Sequence, residues 1–190
     1  MPDHSLAPLL PLGGATPRRD TFAGLTITEN PDVAIASVAC RMGRDADLAK
    51  AAAALFGTAL PVPGQMVAKG DWALFWTGPG QWMATAPFAT HEDISRIVKA
   101  GLGDTASVTE QTDAWVRFDI DGARAPDMFE RLCILDTRRM AAGSANRTMI
   151  EHLGTFVLCH RAGEAFSVLG PRSAAASLHH AHVAAAKSAI

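Results

Sequence analysis

The chain repeats itself. Trp72, Trp82 and Pro87 recur as Phe156, Phe166 and Pro171, each pair 84 positions apart. The strand–glycine–helix units that begin at Val33 and Ala114 are offset by 81. Strand, helix, hairpin and helix thus occur twice in nearly constant register. The chain is therefore expected to fold as two like sheet-and-helix halves, whose sheets are free to pack or join.

The elements of each half are legible from periodicity. Leu25–Glu29 and Val33–Arg41 read as strands around the turn Asn30-Pro31-Asp32. Leu48, Ala51, Ala52 and Leu55 repeat at helical spacing and predict a helix over Asp45–Phe56, stopped by Gly57 and Pro61. Trp72–Trp76 and Trp82–Ala86 flank Thr77-Gly78-Pro79-Gly80 as a hairpin, apolar on both sides of its first strand. Thr90 and Asp93 resemble a capping box for a helix that Gly101 and Gly103 close, before a strand at Thr105–Thr109. The resulting order β-α-β-β-α-β is the ferredoxin-like, or split βαβ, arrangement.

A second round opens on Trp115–Asp121. Val116, Phe118 and Ile120 alternate on one face and Trp115, Arg117, Asp119 and Asp121 on the other, the latter read as facing outward. A helix over Arg124–Cys133 tolerates Pro126 in its first turn. Strands near Arg147–His152, Thr155–His160 and Ala165–Leu169 and an alanine-rich helix to about Lys187 complete the half. The expected fold class is α+β with two tandem ferredoxin-like halves, residues 25-112 and 113-190, behind a Pro-rich extended N-terminal arm, residues 1-24. That arm holds four of the eleven prolines, so it can be neither helix nor central strand. Leu6, Leu9, Leu10 and Leu12 make it apolar for a solvated tail. An arm laid across a partner would hide them, while a terminus without fixed structure is the plainer alternative.

Composition removes several functions. A net charge of −2 without a basic stripe speaks against nucleic acid. No segment reaches the roughly 18 apolar residues of a membrane span, and the N-terminus lacks a basic region typical of a signal peptide. Cys40, Cys133 and Cys159 are far apart and outside CxxC spacing, which fits small buried thiols in a reducing cytosol.

Motifs that carry chemistry are scarce. There is no GxGxxG, P-loop, GxSxG or HExxH. His179, His180 and His182 lack a third ligand at helical spacing and read as solvated residues near a helix end. His152 and His160 have no evident nucleophile beside them. Asp113, Asp119 and Asp121 read as hydrated charges, with Asp113 in a turn or cap at the joint between halves. No catalytic, cofactor-binding or metal residue is assigned. The outward pair Trp115 and Arg117, residue types enriched at protein contacts, is instead a candidate subunit interface together with Leu6, Leu9 and Leu10.

Taken in order, Trp76-Thr77-Gly78-Pro79-Gly80-Gln81-Trp82, Val108–Val116 (VTEQTDAWV), Arg147-Thr148 and Pro171-Arg172-Ser173 resemble the γ subunit family of heterotetrameric sarcosine oxidase. The resemblance covers nearly all of the chain after about residue 25. It implies a fold similar to the folate-binding aminomethyltransferase domain. It also implies a non-catalytic role in assembly and stability of a cytoplasmic enzyme that oxidatively demethylates sarcosine to glycine and hydrogen peroxide. In that family the one-carbon unit can pass to tetrahydrofolate. The implied partners are the α, β and δ subunits, which would hold NAD, FAD, FMN, folate and zinc; this chain would hold no cofactor. Ser144-Ala145-Asn146 departs from the Cys-containing segment expected before Arg147-Thr148. The alternative is a stand-alone folate- or pterin-binding domain of the aminomethyltransferase type, with Asp113, Arg147 or Glu151 as pocket groups.

Overall fold

The computed structural model describes residues 9–190, so Leu6 lies outside the described residues. Two antiparallel sheets stand face to face, each with helices on its other side. In chain order the elements are β1 Arg19–Phe22, β2 Leu25–Glu29, β3 Ala34–Cys40, α1 Asp45–Phe56, β4 Met66–Lys69, β5 Trp72–Gly78 and β6 Gln81–Ala86. They continue as α2 Phe88–His91, α3 Ile94–Leu102, β7 Ala106–Glu110, β8 Trp115–Asp121, α4 Ala125–Leu132, β9 Ala145–Ile150, β10 Leu153–Arg161, β11 Ala165–Pro171 and α5 Ala175–Ala189.

The first sheet runs β4-β5-β6-β3-β7 and the second β1-β2-β8-β11-β10-β9. Without the edge strands, β7-β3-β6-β5 matches β2-β8-β11-β10, the ferredoxin-like order in both. The chain is α+β, built of two such halves. The repeat extends to backbone angles: Pro87 and Pro171, each ending the third strand of its half, have φ/ψ of −58/129° and −58/128°.

One strand changes halves. Leu25–Glu29, expected in the first half, pairs antiparallel with β8 (Ile27 opposite Ile120) and supplies the fourth strand of the second sheet. The reason is positional. β2 lies along the edge of β8 that would otherwise stay unpaired. The arm follows the same sheet: its last residues, Arg19–Phe22, form the edge strand β1. Glu29, almost wholly buried, accepts hydrogen bonds from the N–H groups of Leu12 (2.9 Å) and Arg18 (3.1 Å), which fastens the arm onto its own chain. Leu12 packs on the second half's core.

Alternation then decides three apolar layers. Leu48, Ala52 and Phe56 of α1 and Ile94, Val98 and Leu102 of α3 cover Ala36, Val38, Leu74 and Ala84 of the first sheet. Met128 and Phe129 of α4 and Leu178 of α5 cover Ile27, Phe118, Ile120 and Phe166 of the second. Between the sheets lie Val33, Ile35, Phe75, Met83, Phe156, Leu158 and Leu169. Gly101 lets α3 close on α1, since a Cβ there would stand 2.7 Å from Leu55. The capping box expected at Thr90 and Asp93 does not form: Thr90 donates to the Pro87 carbonyl, and a short helix, α2, precedes α3.

The joint between halves is held by a carboxylate. Glu110 accepts hydrogen bonds from the N–H of Ser95 (3.2 Å), the N–H of Thr112 (3.1 Å) and the hydroxyl of Thr112 (2.5 Å). That same hydroxyl oxygen accepts from Ile35 N–H at 2.9 Å, so the turn is locked to β3. Burial raises the Glu110 pKa, but the hydrogen bonds from Thr112 and Ser95 outweigh it and hold the carboxylate below its usual range.

Candidate functional site: the seam between the sheets

The face of β8 read as outward turns toward the other sheet. Trp115 is half-buried against Phe156, ring centroids 5.6 Å apart, and donates to Gln111 Oε1 at 3.3 Å. A polar face with one large aromatic looks solvent-facing by pattern. Here it borders the inter-sheet layer, so the outward placement is corrected.

Beyond the edge of the first sheet, the same face carries a polar cluster. Asp119 accepts from Arg117 Nε (2.7 Å), Asn30 Nδ2 (2.6 Å) and Ser167 Oγ (2.6 Å). His160 Nε2 lies 2.7 Å from Ser167 Oγ. Burial pushes Asp119 up, while the Arg117 charge and the hydrogen bonds from Ser167, Asn30 and Arg117 hold it below the usual carboxylate range. Burial, assisted by Arg117, lowers the His160 pKa. Asp119 is not the simply hydrated charge expected from sequence, whereas Asp121 is exposed as expected, and His160 does have a serine partner that sequence did not reveal. The order of the three groups decides their chemistry. The Ser167 hydroxyl donates its hydrogen bond to Asp119, which leaves the His160 ring nitrogen as the donor to Ser167; in nucleophilic triads the histidine stands between serine and carboxylate. Ser167 is also fully buried. The cluster is a scaffold that fixes Arg117.

Arg117 borders a cavity of about 360 Å³ at the seam. Four of the five interface candidates, Leu9, Leu10, Trp115 and Arg117, line it, along with Val33 and Phe88. The arm forms one wall, where Arg172 donates to the Leu9 carbonyl at 2.6 Å. Arg172 also stands 3.6 Å from Asp113, whose exposed carboxylate occupies the joint turn as expected. Asp32 completes the rim, so with Asp119 behind Arg117 three carboxylates face two guanidiniums. Leu9 is 64% exposed and Phe88 37%, both large apolar side chains left at the mouth.

Trp115 also lines a second cavity, of about 230 Å³, between β3, β5 and β6 on one side and β9 and β10 on the other. Its aromatic wall is Trp115 and Phe156, with the Arg147 guanidinium 5.9 Å from the Phe156 centroid. Ser37, Thr77 and Gln81 supply polar groups. Of the pocket groups expected from sequence, Arg147 is here, Asp113 is at the first cavity, and Glu151 is in the β9–β10 turn.

Two of the three histidines of α5 depart furthest from expectation, while His180 is exposed as expected. His179 and His182 share a face, but they point into the protein rather than into solvent. No group of three or more potential metal ligands occurs among the described residues. Cys40, Cys133 and Cys159 are free thiols, each pushed up by burial. No helix of the described residues is long and apolar enough to cross a membrane.

No protein-family model and no curated protein matches the chain. Solved structures do match. A chain of the heterotetrameric sarcosine oxidase from Corynebacterium sp. U-96, in complex with pyrrole 2-carboxylate, superposes with a TM-score of 0.75 at 17% identity, covering 86% of this chain and 84% of that one. The glycine cleavage system aminomethyltransferase T from Bartonella henselae superposes at 0.56 and 14% identity, over 85% of this chain but 46% of its own length. At these identities the likeness establishes the fold, which is aminomethyltransferase-like.

Proposed function

We propose that this chain is the non-catalytic γ subunit of a heterotetrameric sarcosine oxidase, with a role in assembly and stability of the complex. The observation that carries this reading is the two-way coverage: the chain and its match in the Corynebacterium enzyme span more than four-fifths of each other, whereas the transferase match spans less than half of that protein. The ordered motifs around VTEQTDAWV support it independently. In this reading the α, β and δ subunits hold FAD, FMN, NAD, folate and zinc, and the complex is cytoplasmic. The mouth of the first cavity, with Leu9, Leu10, Trp115 and Arg117, is the proposed contact with a partner subunit; Leu6 belongs to the same proposal. A bare apolar contact makes the chain prone to aggregate when expressed alone. Co-expression with the flavin-carrying subunits, followed by size exclusion, is expected to give one complex. A well-behaved monomer that ignores those subunits would overturn the assignment.

The second cavity favours one other reading, a folate- or pterin-binding domain. Aromatic walls with a guanidinium, an amide and two hydroxyls suit a planar hydrogen-bonding ring. Tetrahydrofolate titration followed by Trp fluorescence and calorimetry tests it. Absence of both signals excludes that reading and leaves the subunit assignment standing.

A further inference from the structure

Helix α5 closes the second half, and two histidines occupy its inward face among alanines and Leu178. His182 is wholly buried, and neither ring nitrogen has a hydrogen-bond partner among the described residues. Its ring lies 5.4 Å from the Phe118 centroid in an edge-on contact. One turn earlier, His179 stands 5.8 Å from the same ring, and its Nε2 is 2.7 Å from Asp20 Oδ2 on β1.

The charged groups around this face can be taken element by element. On α5 itself there is His179. On β1, Asp20 is engaged by His179 and by Arg18 at 3.1 Å. On β2, Glu29 shares a cavity wall with His179, but its oxygens are committed to the N–H groups of Leu12 and Arg18. At α4, Arg124 donates to the Ala189 carbonyl at 2.7 Å. β8 presents Val116, Phe118 and Ile120 to this layer and no charge. Among the described residues only the Leu178 backbone favours a proton on His182, and burial together with His179 outweighs it; a buried charge without a counter-charge is far more costly than an unpaired polar group.

We propose that α5 is an acid-released lid: when it lifts, His182 takes up a proton that it cannot hold when seated, so falling pH drives the helix and the attached β1 off the second sheet and uncovers the apolar face around Phe118. Burial lowers the seated imidazole to about 3, whereas a solvated one titrates near 6.5. The folded value is depressed, so the seated helix keeps its full stability above pH ~6.5 and loses it as pH falls toward 3. Asp20 remains ionised through most of that window. Burial raises it, but the hydrogen bonds and charges of Arg18 and His179 hold it below the usual carboxylate range. β1 therefore leaves with the helix rather than before it.

Native-state hydrogen exchange on the full chain at pH 7.5, 6.5, 5.5 and 4.5, normalised to intrinsic rates, tests this. The opening constant for α5 and β1 is expected to rise toward tenfold per pH unit below pH ~6.5, the limit for uptake of one proton, while α1 stays flat. H182L is expected to flatten the α5 profile. Should that variant not fold, H182Q, polar but uncharged in this range, gives the same readout. An unchanged slope in the variants, or α1 opening in step with α5, overturns the proposal.

Discussion

Asp119 sits on β8 with three donors converging on it, from Arg117, Asn30 and Ser167. Together they tie β8 to the β2–β3 turn and to β11. Asp119→Ala would leave Arg117 without its partner and the Ser167 and Asn30 donors unsatisfied in a half-buried site. The expected loss is about 3 kcal/mol of folding stability, from the cost of breaking such a pair, read as a lower urea midpoint at unchanged slope. The pH dependence has a definite sign. The folded-state pKa of Asp119 is depressed, so its contribution is present above pH ~4 and disappears as pH falls below that. The variant should therefore converge on the parent protein in acid. Equal separation of the two at pH 7 and pH 3 would show that lost packing, not charge, carries the effect. Alternation alone could not have found this cluster, because Asn30, Asp119 and Ser167 are brought together by pairings between distant strands.

Among the elements, local periodicity specifies helices and hairpins. Helix α1 lies at Asp45–Phe56 as expected from Leu48, Ala51, Ala52 and Leu55, and the hairpin around Gly78-Pro79-Gly80 forms. Other features depend on the partner layer and leave no local pattern. β4 has only four residues at a sheet edge and no strong pattern. α5 is alanine-rich on all sides, so its polar His179 and His182 gave no signal that they face inward. Period-two alternation separated the faces of β8 but could not say that the Trp115 side meets a second sheet. The turn between β9 and β10 offers a prediction at this scale. Glu151 (φ 49°) and His152 (φ 65°) both occupy the left-handed region, and Leu153 pairs with Ile150 across a two-residue loop. Such loops favour Asn-Gly, and non-glycine residues there carry backbone strain. Replacing Glu151-His152 by Asn-Gly is expected to stabilise the protein by about 1 kcal/mol, measured by chemical denaturation. A loss of stability would mean that the two side chains make contacts worth more than the strain.

For the whole molecule, the decisive feature is that the second half borrows its fourth strand from the N-terminal side of the first. The repeat announced two like halves, but an alternating strand such as Leu25–Glu29 does not name its partner. The geometry shows how little separates this arrangement from a contiguous one. Arg124 donates to the Ala189 carbonyl at 2.7 Å, while its N–H donates to the Gly24 carbonyl at 3.1 Å, so the end of α5 lies close to the start of β2. Gly122 seals that junction: at φ +130°, a Cβ would stand 2.2 Å from Gly24 O. A permuted chain can therefore begin at Asp32, run to Ile190 and continue through a short Gly/Ser linker into Gly24–Pro31. Each half would then be contiguous, and Glu29, no longer covered by residues 9–18, would meet solvent instead of losing its partners inside the protein. The permuted chain is expected to keep native near-ultraviolet circular dichroism and one cooperative unfolding transition, at a midpoint lowered by loss of β1 and of the Leu12 contact. Deleting residues 1–31 without restoring the strand leaves the β8 edge unpaired, and that chain should lose its cooperative transition. If the deletion unfolds as cooperatively as the permuted chain, β2 is an accessory to the second half rather than its fourth strand.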